Sequence, residues 1–72
     1  MYTYKIHLQK ETKGGFTVSV PALSGCITYG EDLDEAITMA KEAIELYIEE
    51  LHDRGESIPE DSNTYEYSLS FN

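Results

Sequence analysis

Tryptophan is absent, and cysteine occurs once, at position 26. A single thiol forbids an internal disulfide, so the chain is no disulfide-stapled secreted scaffold, and a reducing compartment suits it. No apolar run approaches the roughly 20 residues that a membrane-spanning helix requires. The start, "MYTYKIHLQK", alternates and lacks the apolar core of a signal peptide. A cytoplasmic protein with no membrane partner is therefore expected. Cations are scarce: five Lys and Arg face fourteen Asp and Glu, for a formal net charge of −9. Such a surface repels phosphate backbones, which argues against direct nucleic-acid binding and favours a basic protein partner.

What is present is enough for one small fold. With 40% hydrophobic residues and six Tyr, the chain lies outside the disordered class, and residues 1–72 are read as a single domain. A domain of this size buries a modest core and commonly gains stability by self-association, so a homodimer or higher homo-oligomer is expected.

Tyr2, Tyr4, Ile6 and Leu8 alternate with polar residues, predicting a first strand. The polar turn "KETKGG" leads to Phe16, Val18 and Val20, which alternate again and complete a hairpin. Pro21 stops that strand, "ALSG" turns a corner, and "CITY" resumes as a third, with Gly30 permitting the exit. Leu33, Ala36, Ile37, Ala40, Ala43, Ile44, Tyr47, Ile48 and Leu51 then recur at helical spacing. Asp32 stands where an N-cap belongs, with Glu35 three residues on, and Arg54-Gly55 with Pro59 beyond marks the stop. Tyr65, Tyr67, Leu69 and Phe71 alternate in a last strand. The expected fold is α+β: a two-layer β-β-β-α-β sandwich with a four-stranded, mostly antiparallel sheet. A right-handed crossover would lay the last strand parallel to the first, in the order 3-2-1-4. The apolar strand residues would face the helix, leaving Lys5, His7, Thr17 and Ser19 on an open polar face.

Gly15, Val20-Pro21, Leu23, Gly25-Cys26, Gly30, Glu35-Ala36 and the closing "GESIP" at Gly55–Pro59 form a series that spans nearly the whole chain. In order and spacing it resembles the HicB family of antitoxins. The resemblance implies a partial RNase H-like fold. It further implies that the protein binds a small basic HicA-type toxin, an mRNA-cleaving ribonuclease, and masks its active site. Full-length members often carry a DNA-binding segment after this domain. The present sequence ends at Asn72, so operator binding is not expected of it.

Metal-dependent hydrolysis needs several carboxylates converging from neighbouring strands, and the first three strands hold none. No catalytic residue, metal ligand or cofactor is expected, and the protein is read as a non-enzyme. Cys26 reads as a packed thiol, with a nucleophile as the sharper alternative. His7 reads as a solvated strand histidine, or else as an interface residue. On a helical wheel Glu42, Glu45 and Glu49, with Glu35 and Asp53, lie opposite the apolar stripe. They are the candidate toxin-facing residues, the alternative being an ordinary solvated face. Met39 and Leu46 fall off the stripe and, with Tyr65 and Tyr67 on the last strand, are the candidate contacts between copies. The alternative for Met39 and Leu46 is that loops cover them. A reading from another class also stands: a free-standing oligomeric domain that regulates or scaffolds a partner other than a toxin.

Overall fold

The computed structural model describes residues 2–62 and 65–72. It is α+β, with strands β1 (His7–Lys10), β2 (Phe16–Ser19) and β3 (Ile27–Gly30) followed by one helix, α1 (Leu33–Asp53). The strands form an antiparallel sheet in the order β1-β2-β3. Val18, at its centre, pairs with Leu8 on one side and Thr28 on the other.

Directly opposed residues in a ladder share a face. Val18 is fully buried against Ala36 and Ala40 of the helix, so Leu8 and Thr28 lie on the helix side with it. A second cluster of Val20, Leu23 and Cys26 packs under Ala43, Ile44 and Tyr47. The small residues Ala36 and Ala40 let the helix approach β2 and β3 closely, and Leu23 plugs the end of the sandwich.

Local signals set the helix ends. The Asp32 carboxylate accepts from the Glu35 N–H at 2.8 Å, and the Glu35 carboxylate accepts from the Glu31 N–H at 2.7 Å. This is a capping box displaced outward by one residue. At the other end the Gly55 N–H donates to His52 and the Glu56 N–H to Leu51, with Gly55 at φ +68°. That is the Schellman arrangement, and it places Gly55 where a side chain would be strained.

Four expectations are corrected. First, β1 begins at His7 and not at Tyr2. Pro21 follows the end of β2, and residues 2–6 carry no strand, although Tyr4 and Ile6 still pack on the core.

Second, the fourth strand is missing: β1 pairs with β2 alone among the described residues, and residues 65–72 carry no strand. Residues 63 and 64, just before that segment, lie outside the described residues. The helix packs on β3 and β2, so a tail strand beside β1 would meet only the rim of the helix. Parallel pairing at an edge with so little cover does not offset the ordering entropy.

Third, the apolar residues do not all face the helix. In β3 the alternation puts Cys26 and Thr28 inward, which leaves Ile27 65% and Tyr29 43% exposed on the polar face. Fourth, Gly30 does not supply a left-handed turn. It is the last residue of β3, and a Cβ there would lie 2.3 Å from the Ala36 nitrogen.

Candidate functional site

The outer face of α1 carries an exposed row of acids, Glu35, Glu42, Glu45, Glu49 and Asp53. Capping by Asp32 and packing by Ala36, Ala40 and Leu51 fix the rotation of the helix, which leaves Glu42, Glu45 and Glu49 exposed. Glu35 and Asp53 are exposed too, although Glu35 is partly occupied by its bond to the Glu31 N–H. Among the described residues no ion pair engages Glu42, Glu45 or Glu49, whereas Arg54 near the helix end is held by Glu50 at 3.1 Å and Glu56 at 3.3 Å. The three acids thus share one helix face with their charge uncompensated. An array of this kind offers long-range attraction to cations and no nucleophile or proton shuttle.

Cys26 is buried, and burial pushes its thiol up, which keeps it protonated and unreactive at neutral pH. Its backbone closes the corner: Cys26 N–H donates to Leu23, and Val20 N–H donates to Cys26. Gly25 turns the same corner at φ +76°, and Pro21 stands exposed at its start. His7 approaches Glu66 at 3.3 Å, both of them exposed.

The oligomer candidates lie in two places. Met39 and Leu46 sit on the flank of α1 that overhangs β3, with Leu46 beside a shallow depression lined by Cys26, Ile27 and Ala43. The corner loop reaches Tyr47, whose hydroxyl donates to the Ser24 carbonyl at 2.8 Å, but it stops short of Leu46, which stays 67% exposed. Tyr65 and Tyr67 are exposed on the extended tail. The structure therefore does not bring these four residues together.

One constellation escaped the sequence reading. Beyond the helix, the chain returns to the start of the first segment, where the Tyr4 hydroxyl donates to the Pro59 carbonyl and the Lys5 backbone N–H donates to the Asp61 carboxylate at 2.7 Å. Asp61 is buried there, and Lys5 Nζ lies 3.5 Å from it. Tyr4, Lys5 and Asp61 line a cleft of about 480 Å³ with Tyr2 and Glu60. Burial, then the charges of Tyr2, Asp61 and Glu60, raise the Tyr4 phenol above its ordinary value. Asp61 sits in a polar stretch with no periodicity, so nothing in the sequence marked it for burial. Pro59, read as a stop signal and as the end of the GESIP series, also anchors the return.

A family model described as the HicB-like antitoxin of bacterial toxin–antitoxin systems matches residues 4–70. The chain is 44% identical over 59 residues to a UPF0150 protein of Thermoplasma acidophilum, covering 82% of this chain and 86% of that one. It is 41% identical over 61 residues to a UPF0150 protein of Synechocystis, covering 85% and 77% of the two chains. A 14.9 kDa protein of Haemophilus phage HP1 is 38% identical over 64 residues; these cover 89% of this chain and 47% of that protein.

Proposed function

The chain belongs to the HicB-like antitoxin family, and from that premise we propose that it binds and masks a small basic toxin of the HicA type. The observation that carries the reading is the uncompensated acidic face at Glu42, Glu45 and Glu49, displayed on a rigid capped helix. A basic ribonuclease must itself attract RNA phosphates, so its active surface carries the charge that this face complements. Masking requires complementarity and coverage only, and the antitoxin acts without catalysis, metal or cofactor. The same negative face disfavours direct nucleic-acid binding by these residues. We place the protein in the cytoplasm, where such a toxin would act, and read its sheet and helix as part of a partial RNase H-like fold.

The test is co-purification with the toxin from the host, followed by affinity measurements at two salt concentrations. The expected partner is a small basic protein whose RNA cleavage stops in the complex. The E42K/E45K/E49K variant should bind it at least tenfold more weakly, with a flatter salt dependence. Unchanged affinity in that variant would remove the acidic face from the mechanism. Failure to recover any such protein would remove the toxin itself.

Self-association is a second reading with its own support. Tyr65, Tyr67, Leu69 and Phe71 stand 70–88% exposed, an apolar display of the kind that marks contact with another chain. If the protein forms oligomers but recovers no toxin, it is a free-standing regulatory or scaffolding domain.

A further inference from the structure

Two apolar surfaces in this chain are complementary and unjoined. One is the tail, where Tyr65, Tyr67, Leu69 and Phe71 recur at the two-residue period of a strand, and each is at least 70% exposed. An alternating apolar face has no stability alone in water and calls for a sheet to pair with. The other lies beside β1. Among the described residues that strand pairs with β2 alone, so it is a sheet edge that another strand can extend. Leu8, on the helix side of β1, is 37% exposed because α1 lies over β2 and β3. Above it, Leu33, Ile37, Ile44 and Ile48 fall within about 60° of one another on the helix. The depression at Leu46 assigns the opposite flank to β3, which places this row on the β1 side. Leu33 is 49% and Ile37 43% exposed. The edge of β1, the exposed Leu8 and the exposed Leu33 and Ile37 are the groups that a strand added at this edge, here called the slot, would cover.

The slot is not filled by the chain's own tail. The root of that tail is tied beside the start of β1 by the Pro59 and Asp61 contacts, and Glu66 meets His7, so the tail leaves the body in the direction of β1. Seated on its own sheet it would be a parallel edge strand. A two-fold axis perpendicular to β1 changes this: the tail of a second copy then runs antiparallel to β1, the slightly stronger pairing. We propose that two copies of this chain exchange tails reciprocally, residues 65–71 of each giving up the exposed Glu66–His7 contact within its own chain and occupying the slot formed by β1 and the Leu33–Ile37 flank of the other. The proposal rests on the self-association reading above and is independent of the toxin.

The area suffices. At about 150 Å² or more per large side chain, four residues per tail remove about 600 Å² from water. Two tails and an equal area beneath them bring the total to about 2,400 Å² at most, within the range of stable dimers. Exchange would leave Glu42 and Glu49 on the far side of the helix, about 130–150° from the centre of this row, with Glu45 about 90° away at its border.

The test uses the full chain in sedimentation equilibrium and native mass spectrometry, with circular dichroism as a check on folding. The wild-type protein should be a dimer. L69D/F71D, with a defective tail, and L8D/I37D, with a defective slot, should each dissociate at least 100-fold more readily while keeping their helix signal. Mixed together, they should form a heterodimer, because the intact tail of one fits the intact slot of the other. A dimer that survives L69D/F71D would overturn tail exchange and leave self-association standing. A dimer that survives L8D/I37D, with no heterodimer on mixing, would mean tail-to-tail pairing and also overturn it. A monomeric wild-type protein would overturn both readings. If a designed variant fails to fold, L69S/F71S and L8S/I37S give the same four-way comparison with milder changes.

Discussion

Replacing Gly30 with alanine should be the most damaging methyl addition in the chain. The ideal Cβ would lie 2.3 Å from the Ala36 nitrogen and 2.4 Å from its Cα, where ordinary contact begins near 3.4 Å. The shortfall is about 1 Å, and both neighbours are helix backbone, so no side chain can swing aside. Relief requires α1 to lift from β3, which would open the contacts of Ala36 and Ala40, both now sealed. Overpacking of a tight core costs about 1–3 kcal/mol, and rigid backbone on both sides puts this site near the upper figure. A chain of this length has a total stability of about 4–11 kcal/mol at the usual 0.05–0.15 kcal/mol per residue. A loss of about 3 kcal/mol should lower Tm by about 12–24 °C for a domain of this size. Thermal and urea unfolding followed by circular dichroism give the number directly. The natural control is Gly55→Ala, where φ is +68° but the space around the position is open. There the cost is backbone strain alone, about 1–2 kcal/mol, and Gly55→Asn should recover part of it. A Gly30→Ala protein within 0.5 kcal/mol of wild type would refute the close-approach argument.

Two further outcomes concern the cap and pH. Asp32→Ala removes the acceptor for the Glu35 N–H and should cost about 1 kcal/mol, read from urea midpoints, with Asp32→Asn nearly neutral; equal loss in both variants would contradict capping. Burial raises the Cys26 thiol, and burial with nearby negative charge raises the Tyr4 phenol. The folded chain therefore holds these protons more tightly than the unfolded chain does. Stability from both groups is complete below the unfolded thiol value, about pH 8.5, and is lost as pH rises through the thiol and then the phenol range. Urea midpoints between pH 7 and pH 11 should fall in that order, and Cys26→Ala should remove the lower step; a flat profile would refute the shifts.

The candidate site was half legible before any coordinates. Glu42, Glu45 and Glu49 could be placed opposite the apolar stripe because a helix has one period and the cap at Asp32 fixes where it starts. Gly25, Gly55 and the Cys26 corner were legible for a similar reason: left-handed backbone and a buried thiol follow from residue type within a few neighbours. The Tyr4–Pro59 and Lys5–Asp61 contacts were not, since they join residues more than fifty apart in the chain and have no periodic signature.

The sequence alone determined the α+β class, the three-strand meander, the limits of the helix and the sign of its outer face. Each depends on interactions within a turn or two, or on a charge count that no folding alters. Only the tertiary structure decided which alternating segment would enter the sheet. Residues 2–8 and 65–71 carry the same two-residue pattern, yet part of one pairs in β1 and the other stands exposed. A period says which side of a strand is apolar. Whether that side finds cover depends on where the helix lies, and Gly30, Ala36 and Ala40 draw the helix over β2 and β3, away from the edge the tail would need.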